Sequence, residues 1–301
     1  MADISSAAPV AANVNDFLES QLDDRIVKLE DLFQAHVVSL NGPILYGVDD
    51  ILCVAVESRS ANRPNRNKLV VVLTTAGGYI EVVQRMADVL RRHYVLVDFV
   101  IPNYAYSAGT VLAMSGDAIL MDYYSRLGPI DPQVETGSGR MVPALGYLER
   151  YNDLIEKAAQ KKISTAEVQL LVDGFDQAEL YQYEQARELS IALLKQWLVK
   201  YKFKNWKVTQ GRKKKVTQAM KTSRAATIAK ELNNTIKWHS HGHGISKDVL
   251  EQDLKLQVDD FGANPAIRNA IRQYHHLLAD YMSKRGVKGA IHIAGQYRPY
   301  L

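Results

Sequence analysis

A serine between small residues is the first candidate for chemistry in this chain. Ser107 follows Tyr106 and precedes Ala108 and Gly109, after an apolar run and at the start of a helical pattern. The amides of a first helical turn point outward and favour negative charge, which suits a nucleophile at this position. The alternative is an ordinary N-cap serine, because serine is a preferred residue at helix starts.

A glycine pair is the second feature. Gly77 and Gly78 end the stretch Thr74-Thr75-Ala76-Gly77-Gly78 that directly follows the apolar run 69–73, and Gly78 precedes Ser107 by 29 residues. Two glycines let the backbone turn sharply and bring bare amides close to a ligand, although most such pairs are only turns. A serine hydrolase needs a nucleophile, a base and hydrogen-bond donors for an oxyanion. Open α/β sheets place such groups in the turns at the carboxyl ends of parallel strands.

The elements around these two turns alternate between strand and helix. The predicted strands are His36–Leu40, Leu69–Leu73, Val95–Ile101 and Ala118–Met121. The predicted helices of this part are Leu22–Gln34, Val48–Ser58, Tyr79–Arg92 and Ala108–Met114. The alternation predicts an α/β fold with a mainly parallel sheet.

The rest of the chain has mostly helical spacing. Its predicted helices are Leu145–Gln160, Thr165–Asp173, Gln177–Tyr201, Ser223–Asn233 and Pro265–Lys284, and Lys247–Val258 runs from helix to strand. We therefore expect an N-terminal helical segment at 1–34, an α/β core at 35–144 and a mostly helical C-terminal region at 145–301.

The order of strand, Gly-Gly, helix, strand, serine turn and helix resembles the Clp-protease/crotonase superfamily over about residues 35–135. The motifs are Asn41-Gly42-Pro43-Ile44, Thr75-Ala76-Gly77-Gly78, Ala105-Tyr106-Ser107-Ala108-Gly109 and Ser125-Arg126-Leu127-Gly128-Pro129-Ile130-Asp131-Pro132-Gln133. The branch that the chain resembles is the serine dehydrogenase proteinase family, which is related to signal peptide peptidase A.

The resemblance implies a role for each residue of the site. Ser107 would be the nucleophile, and the amides of Gly77 or Gly78 and of Ala108 would form the oxyanion hole. It also implies a peptide or protein substrate, and no cofactor or metal is expected.

The general base is the open question, because Clp protease has its histidine in the segment that reads 126–133 here, and this segment has none. Asp131 lies there, but a lone carboxylate is a poor activator of serine near neutral pH, and this aspartate is equally typical of a turn. Relatives of signal peptide peptidase use a Ser-Lys dyad, and Lys157, Lys161 and Lys162 fall at a suitable distance. A catalytic lysine must be desolvated, which favours Lys157 because it follows an apolar pair.

A histidine cluster offers the other source of a base. His239, His241 and His243 alternate in a glycine-containing loop, and no carboxylate or cysteine adjoins them to complete a metal site. His241 followed by Gly242 resembles a His-Gly position of this family. Histidine titrates near neutral pH without help, whereas lysine needs burial, so His241 ranks before Lys157.

The charge of the chain is uneven. The net charge is +4, yet residues 195–230 contain twelve Lys or Arg and no Asp or Glu, so the remainder is acidic. Trp197, Tyr201, Phe203 and Trp206 are interleaved with these bases, which is one footprint of nucleic-acid binding. A solvated helix end with a charged loop, or the binding of an acidic protein, are the alternatives.

The remaining expectations concern location, assembly and class. The single cysteine, Cys53, excludes a disulfide within the chain, and no signal peptide or apolar span is evident, so we expect a cytoplasmic protein. We expect a homo-oligomer assembled through helices such as Gln177–Tyr201. The first functional interpretation is a serine peptidase. The second is a non-catalytic Clp-fold scaffold or binding protein, and a crotonase-like acyl-CoA enzyme would leave Ser107 without a role.

Overall fold

The elements of the fold are those of a computed structural model, which describes residues 13–62, 66–130, 133–135, 141–209, 211, 213–238 and 242–301. The strands are β1 (His36–Asn41), β2 (Lys68–Thr74), β3 (Leu96–Val100), β4 (Tyr104–Ala105), β5 (Ala118–Met121), β6 (Arg126–Leu127), β7 (Gln133–Glu135), β8 (Met141–Pro143), β9 (Asp259–Asp260), β10 (Ala290–Ile293) and β11 (Gln296–Pro299). The helices are α1 (Val14–Phe33), α2 (Val48–Asn62), α3 (Ile80–His93), α4 (Ala108–Ala113), α5 (Ala144–Ala159), α6 (Thr165–Asp173), α7 (Gln177–Trp197), α8 (Gln218–Leu232), α9 (Thr235–Trp238), α10 (Lys247–Gln252) and α11 (Pro265–Lys284).

A seven-stranded sheet forms the centre, in the order β11-β10-β1-β2-β3-β5-β9. Neighbours from β1 to β9 pair in parallel, whereas β10 is antiparallel to both β1 and β11. The predicted α/β fold with a mainly parallel sheet is therefore confirmed. The last two strands return to the sheet beside β1, which the sequence analysis did not predict.

The sheet is buried on both faces because its strands alternate between two apolar layers. On β2, Val71 and Leu73 pack into the layer that contains α2, α3, α4, α7 and α8. The intervening Val70 and Val72 pack into the layer of α1 and α11. Burial of each such side chain contributes about 1.5–3 kcal/mol, which is why a continuous β-branched run forms a central strand.

Capping residues explain where several helix boundaries differ from the predicted ones. Helix α1 begins at Val14, because Asn13 Oδ1 accepts the amides of Asn15 and Asp16 at 2.8 and 3.1 Å. Helix α8 begins at Gln218, because Thr217 caps it. Helix α7 ends four residues before the predicted end, and the chain continues as a π-helical turn over Leu198–Lys202.

Candidate active site

Two turns at the carboxyl edge of the sheet lie side by side. Thr75, directly after β2, forms a parallel bridge with Ala105 at the end of β4. The Thr75 amide donates to the Tyr104 carbonyl at 3.1 Å, and the Tyr106 amide donates to the Thr75 carbonyl at 2.9 Å. This pairing fixes the glycine turn against the serine turn.

Ser107 occupies a strained position between β4 and α4. Its backbone has φ 52° and ψ −121°, a region that costs a non-glycine residue about 1–3 kcal/mol. Its side chain makes no capping hydrogen bond to α4, so the alternative interpretation as an N-cap serine is wrong. The residue is fully buried in the single chain. The surrounding structure therefore holds this hydroxyl in place against a conformational cost.

Gly77 packs directly on the serine. Its φ is +111°, and a Cβ atom added there would lie 2.8 Å from Ser107 Cβ and 3.2 Å from Ser107 Oγ. Gly78 has φ +149°, and a Cβ there would lie 1.9 Å from the Ile44 carbonyl oxygen. Both positions exclude any side chain, so the close approach of the turn to Ser107 requires both glycines.

The backbone amides of this site differ in their hydrogen bonds. The Gly77 amide donates to Thr75 Oγ1 at 3.0 Å. The amides of Gly78 and Ala108 have no acceptor in the described part of the chain. For Ala108 this follows from its place in the first turn of α4, where amides lack an acceptor within the helix.

Thr110 connects the serine turn to the next segment, and the sequence analysis missed it. Its fully buried Oγ1 lies 2.8 Å from the Ala105 carbonyl oxygen and 2.9 Å from that of Gly128, and it accepts the Gly128 amide at 3.0 Å. One hydroxyl thus ties together β4, α4 and the stretch after β6. The position of Thr110 could have identified it from the sequence, because it follows the candidate nucleophile by three residues and lies on the inner face of the same helix.

A third segment lies beside these turns. Strand β6 pairs in parallel with β4, and Leu127 of β6 forms an antiparallel bridge with Ile245. Gly244 lies against the Arg126 side chain, where an added Cβ would approach within 2.8 Å. Residues 242–245, the end of the histidine loop, therefore run next to the strand that neighbours the serine turn.

Lys157 does not have the environment of a base. Its ammonium lies 3.2 Å from Asp153 and 3.1 Å from Glu167, and its side chain is 37% exposed. Hydrogen bonds to these carboxylates raise its pKa. A general base needs the opposite shift, so these contacts count against a catalytic role for Lys157. Lys161 and Lys162 are exposed.

The other candidate bases fall partly outside the described structure. Asp131 and His241 lie outside the described residues, as does His239. His243 is described, and its exposed ring packs at 5.4 Å on the indole of Trp238.

Neither a metal-binding cluster nor a membrane-spanning helix is present among the residues that the structure describes. In those ranges, no group of three His, Cys, Asp or Glu side chains has the arrangement of a metal site. None of the helices there has enough length and apolar sequence to cross a bilayer.

Comparisons with known proteins identify a family. A family model described as ClpP-like SDH-type serine proteinase matches residues 48–218, more than half of the chain, including both glycines and Ser107. The uncharacterized protein MJ1495 of Methanocaldococcus jannaschii is 25% identical over 223 residues, covering 73% of this chain and 64% of that protein. The uncharacterized protein MJ0137 of the same organism is 34% identical over 71 residues, covering 24% of this chain and 25% of that protein. This chain thus matches less than two thirds of the length of either relative.

Among solved structures, one similar chain is the 1510-N membrane-bound stomatin-specific protease, a lysine-to-alanine mutant in complex with a substrate peptide. The TM-score is 0.43 at 14% identity, covering 75% of this chain and 74% of that chain.

Proposed function

The chain belongs to the ClpP-like SDH-type serine proteinase family, and we propose that it is a serine peptidase that hydrolyses peptide bonds through Ser107. One observation carries the proposal. The strained backbone of Ser107, with φ 52°, is held against Gly77, which has no side chain, at the carboxyl edge of the parallel sheet. A strained turn between strand and helix is a recurrent support for a nucleophilic serine.

The amides of Gly78 and Ala108 are the proposed donors to the oxyanion. Ala108 directly follows Ser107, and Gly78 follows the glycine that packs on Ser107. Neither amide has an acceptor among the described residues. Gly77 instead shapes the turn, because its own amide is bound by Thr75 Oγ1. One such donor contributes about 3–4 kcal/mol to the stability of the transition state.

The proposed reaction has two halves. Ser107 Oγ forms a bond to the carbonyl carbon of the substrate, its proton passes to the base, and the carbonyl oxygen becomes an oxyanion. The C–N bond then breaks, and the leaving amine takes the proton from the base, which leaves an ester on Ser107. Water then attacks the ester carbon and gives one proton to the base. The C–Oγ bond breaks as the base returns this proton to Ser107 Oγ, which restores the serine hydroxyl and releases the carboxylic acid product.

His241 is the base that we propose for both halves. The described end of its loop supports this, because Ile245 pairs with Leu127 of β6 and β6 pairs with β4, the strand before Ser107. His241 precedes Ile245 by four residues, a span of at most roughly 14 Å. An imidazole also titrates in the pH range where such a base is needed.

The base is tested by comparing two variants. His241→Ala is expected to lower hydrolysis by about 10²–10⁴-fold, because the serine loses its proton acceptor. Lys157→Gln is the matched control and is expected to leave the rate unchanged. The wild-type rate should rise through about pH 6–7. Full activity of His241→Ala would remove this residue from the mechanism.

The peptidase itself is tested with fluorescein-labelled casein. Ser107→Ala should lower cleavage by about 10³-fold or more. Ser115→Ala is the matched control, because Ser115 is a buried serine just after the same helix whose Oγ only donates to the Leu112 carbonyl at 2.7 Å. Equal cleavage by both variants would exclude Ser107 as the nucleophile.

The burial of Ser107 favours a second candidate function. Because Ser107 is fully buried in the single chain, a substrate reaches it only when covering residues move. A protein that never opens would be a non-catalytic scaffold with the same fold. Absence of both casein cleavage and fluorophosphonate labelling in the wild type would support the scaffold.

A further inference from the structure

The structure divides the basic segment 195–230 into two parts. Lys202 is largely buried in the π-helical turn, and burial lowers its pKa. The Lys204 ammonium lies 3.6 Å from the Asp117 carboxylate. Lys202 is thus removed from solvent and the charge of Lys204 is partly neutralised, so both are poor candidates for binding an anionic partner.

The second part is an exposed pair of lysine-rich arms. Residues 207–209 and 213–216 run antiparallel, with Val208 bridged to Lys215 and the Val216 amide donating to the Lys207 carbonyl at 2.9 Å. We call these two stretches the lysine arms. Their lysines are all exposed: Lys207, Lys213, Lys214 and Lys215. None of the four has an ion pair with a carboxylate in the described part of the chain.

A groove lies at the base of the lysine arms. Its volume is about 440 Å³, and its lining residues are Trp206, Ala219, Met220, Ser223, Arg224 and Thr227. The opposite face of α8 is buried in the core through Ala225 and Ile228, so the groove lies on the open face of the helix. Trp206 lines one side of the groove and α8 lines the other. The lysine arms connect the two sides, because one arm follows Trp206 and the other leads into α8.

Two planar groups line this groove. The indole of Trp206 is half-buried and packs at 5.6 Å on the ring of Phe203, which fixes its position. Arg224 is half-buried and forms no ion pair among the residues that the structure describes. A guanidinium plane and an indole are both surfaces on which a base stacks.

We propose that this groove and the lysine arms bind single-stranded nucleic acid. The groove accepts an unpaired base between Trp206 and Arg224, and the arms neutralise the adjoining phosphates. Binding of an acidic protein would require the positive charge of the lysine arms but not the stacking surfaces of Trp206 and Arg224. The combination of unneutralised lysines with a recessed aromatic and guanidinium surface fits a chain that carries both phosphates and bases.

The test uses a fluorescein-labelled oligothymidylate of about twenty nucleotides, which spans more than one site of this kind. Binding is followed by fluorescence anisotropy between about 50 and 200 mM salt. The variant replaces three arm lysines together, Lys213→Gln, Lys214→Gln and Lys215→Gln. Affinity should fall at least about 10-fold, and the slope of log affinity against log salt should become shallower by about 2.

Matched controls separate a specific surface from general charge. A second triple variant, Lys28→Gln, Lys284→Gln and Lys288→Gln, removes the same charge from exposed positions outside the segment and should bind like the wild type. Both triple variants should keep the wild-type melting temperature. In an unlabelled titration, the oligonucleotide should quench tryptophan emission in the wild type. Trp206→Phe should lose most of that quenching.

Three results would overturn the proposal. One is the absence of oligothymidylate binding at the lower salt concentration. Another is an equal loss of affinity in the two triple variants, which would reflect net charge alone. The third is binding without tryptophan quenching, together with equal or tighter binding of labelled poly-glutamate, which would identify an acidic protein as the partner.

Discussion

Ser107 and Gly77 pack directly against each other. The Ser107 side chain occupies the space that a side chain at position 77 would need. The oxyanion site that we propose depends on this contact being tight. A displacement of about 1 Å at a reacting group is enough to lower a catalytic rate by about 10²-fold. A side chain at position 77 would therefore disturb the proposed catalysis as well as the packing of the turn.

Gly77→Ala tests that demand. The new Cβ would lie 2.8 Å from Ser107 Cβ at a φ of +111°, so the turn must shift. We expect fluorophosphonate labelling to slow by about 10²-fold and the free energy of unfolding to fall by about 1–3 kcal/mol. Gly146→Ala is the control, because nothing lies within 4 Å of its Cβ and it should label normally. Wild-type labelling of Gly77→Ala would show that the turn does not position the serine.

Residue types and spacing made Ser107, Gly77 and Gly78 candidates, and the resemblance to the Clp-protease/crotonase superfamily gave them their expected roles. The hydrogen bond from the Gly77 amide to Thr75 Oγ1 was not predictable, because it depends on one side-chain orientation within the turn. The surroundings of Lys157 were unpredictable for a similar reason. Distance along the chain does not reveal that its ammonium lies between Asp153 of the same helix and Glu167 of α6.

Helices α1 and α2 are joined at β1 by a buried ion pair. Glu30 is fully buried, and its Oε1 accepts Arg59 Nε at 2.9 Å and the Val37 amide at 3.2 Å. Removing Arg59 takes the nearest cation away from a buried carboxylate, which costs stability even though Arg66 Nη1 remains 3.9 Å from Glu30 Oε2. Replacing both partners avoids that cost.

Arg59→Met should therefore lower the free energy of unfolding by about 3 kcal/mol, measured by urea denaturation. The double variant Glu30→Met with Arg59→Met should lose clearly less than Arg59→Met alone. A double variant that is as unstable as the single one would show that packing, and not the charge, dominates here.

Helix α11 carries a buried histidine that links stability to pH. Burial, with smaller contributions from His276 and Arg272, lowers the pKa of His275 to about 4. Above about pH 6.5 the residue is neutral in both folded and unfolded states and has no effect. As the pH falls from about 6.5 to about 4, the unfolded state takes up the proton first, so folding is weakened by up to about 3 kcal/mol.

His275→Asn removes this titration. Its free energy of unfolding should change less than that of the wild type between about pH 6.5 and about pH 4, as measured by denaturant titration at each pH. Parallel curves for the two proteins would assign the acid sensitivity to other groups.

Elements with a strong local pattern were predicted well, and those that depend on distant partners were not. Helix α11 and strand β5 have the predicted bounds, because periodicity and the proline start are local signals. Strands β10 and β11 were missed because a four-residue strand carries little pattern of its own. Strand β10 forms by pairing with β1, roughly 250 residues earlier in the chain, and β11 pairs with β10.

Helix α6 has no buried residue and exposes apolar side chains. Val168, Leu170 and Val172 are 43%, 55% and 70% exposed. An apolar helix left open in a single chain is typical of a surface that another subunit covers. We therefore retain the prediction of a homo-oligomer, with α6 in addition to α7 as its contact.

Light scattering at micromolar concentration should give a multiple of 33.8 kDa. The triple variant Val168→Ser, Leu170→Ser and Val172→Ser should shift the mass towards 33.8 kDa while the far-ultraviolet spectrum stays unchanged. A monomeric wild type would contradict the prediction, and an oligomer unaffected by the triple variant would place the contact elsewhere.

The central claim is that Ser107 is the nucleophile, and covalent labelling with a fluorophosphonate followed by peptide mapping tests it most directly. The predicted result is one adduct on the wild-type peptide that contains Ser107, and no adduct on Ser107→Ala at the same melting temperature. Equal labelling of the two proteins, with the adduct mapped to another residue, would contradict the claim.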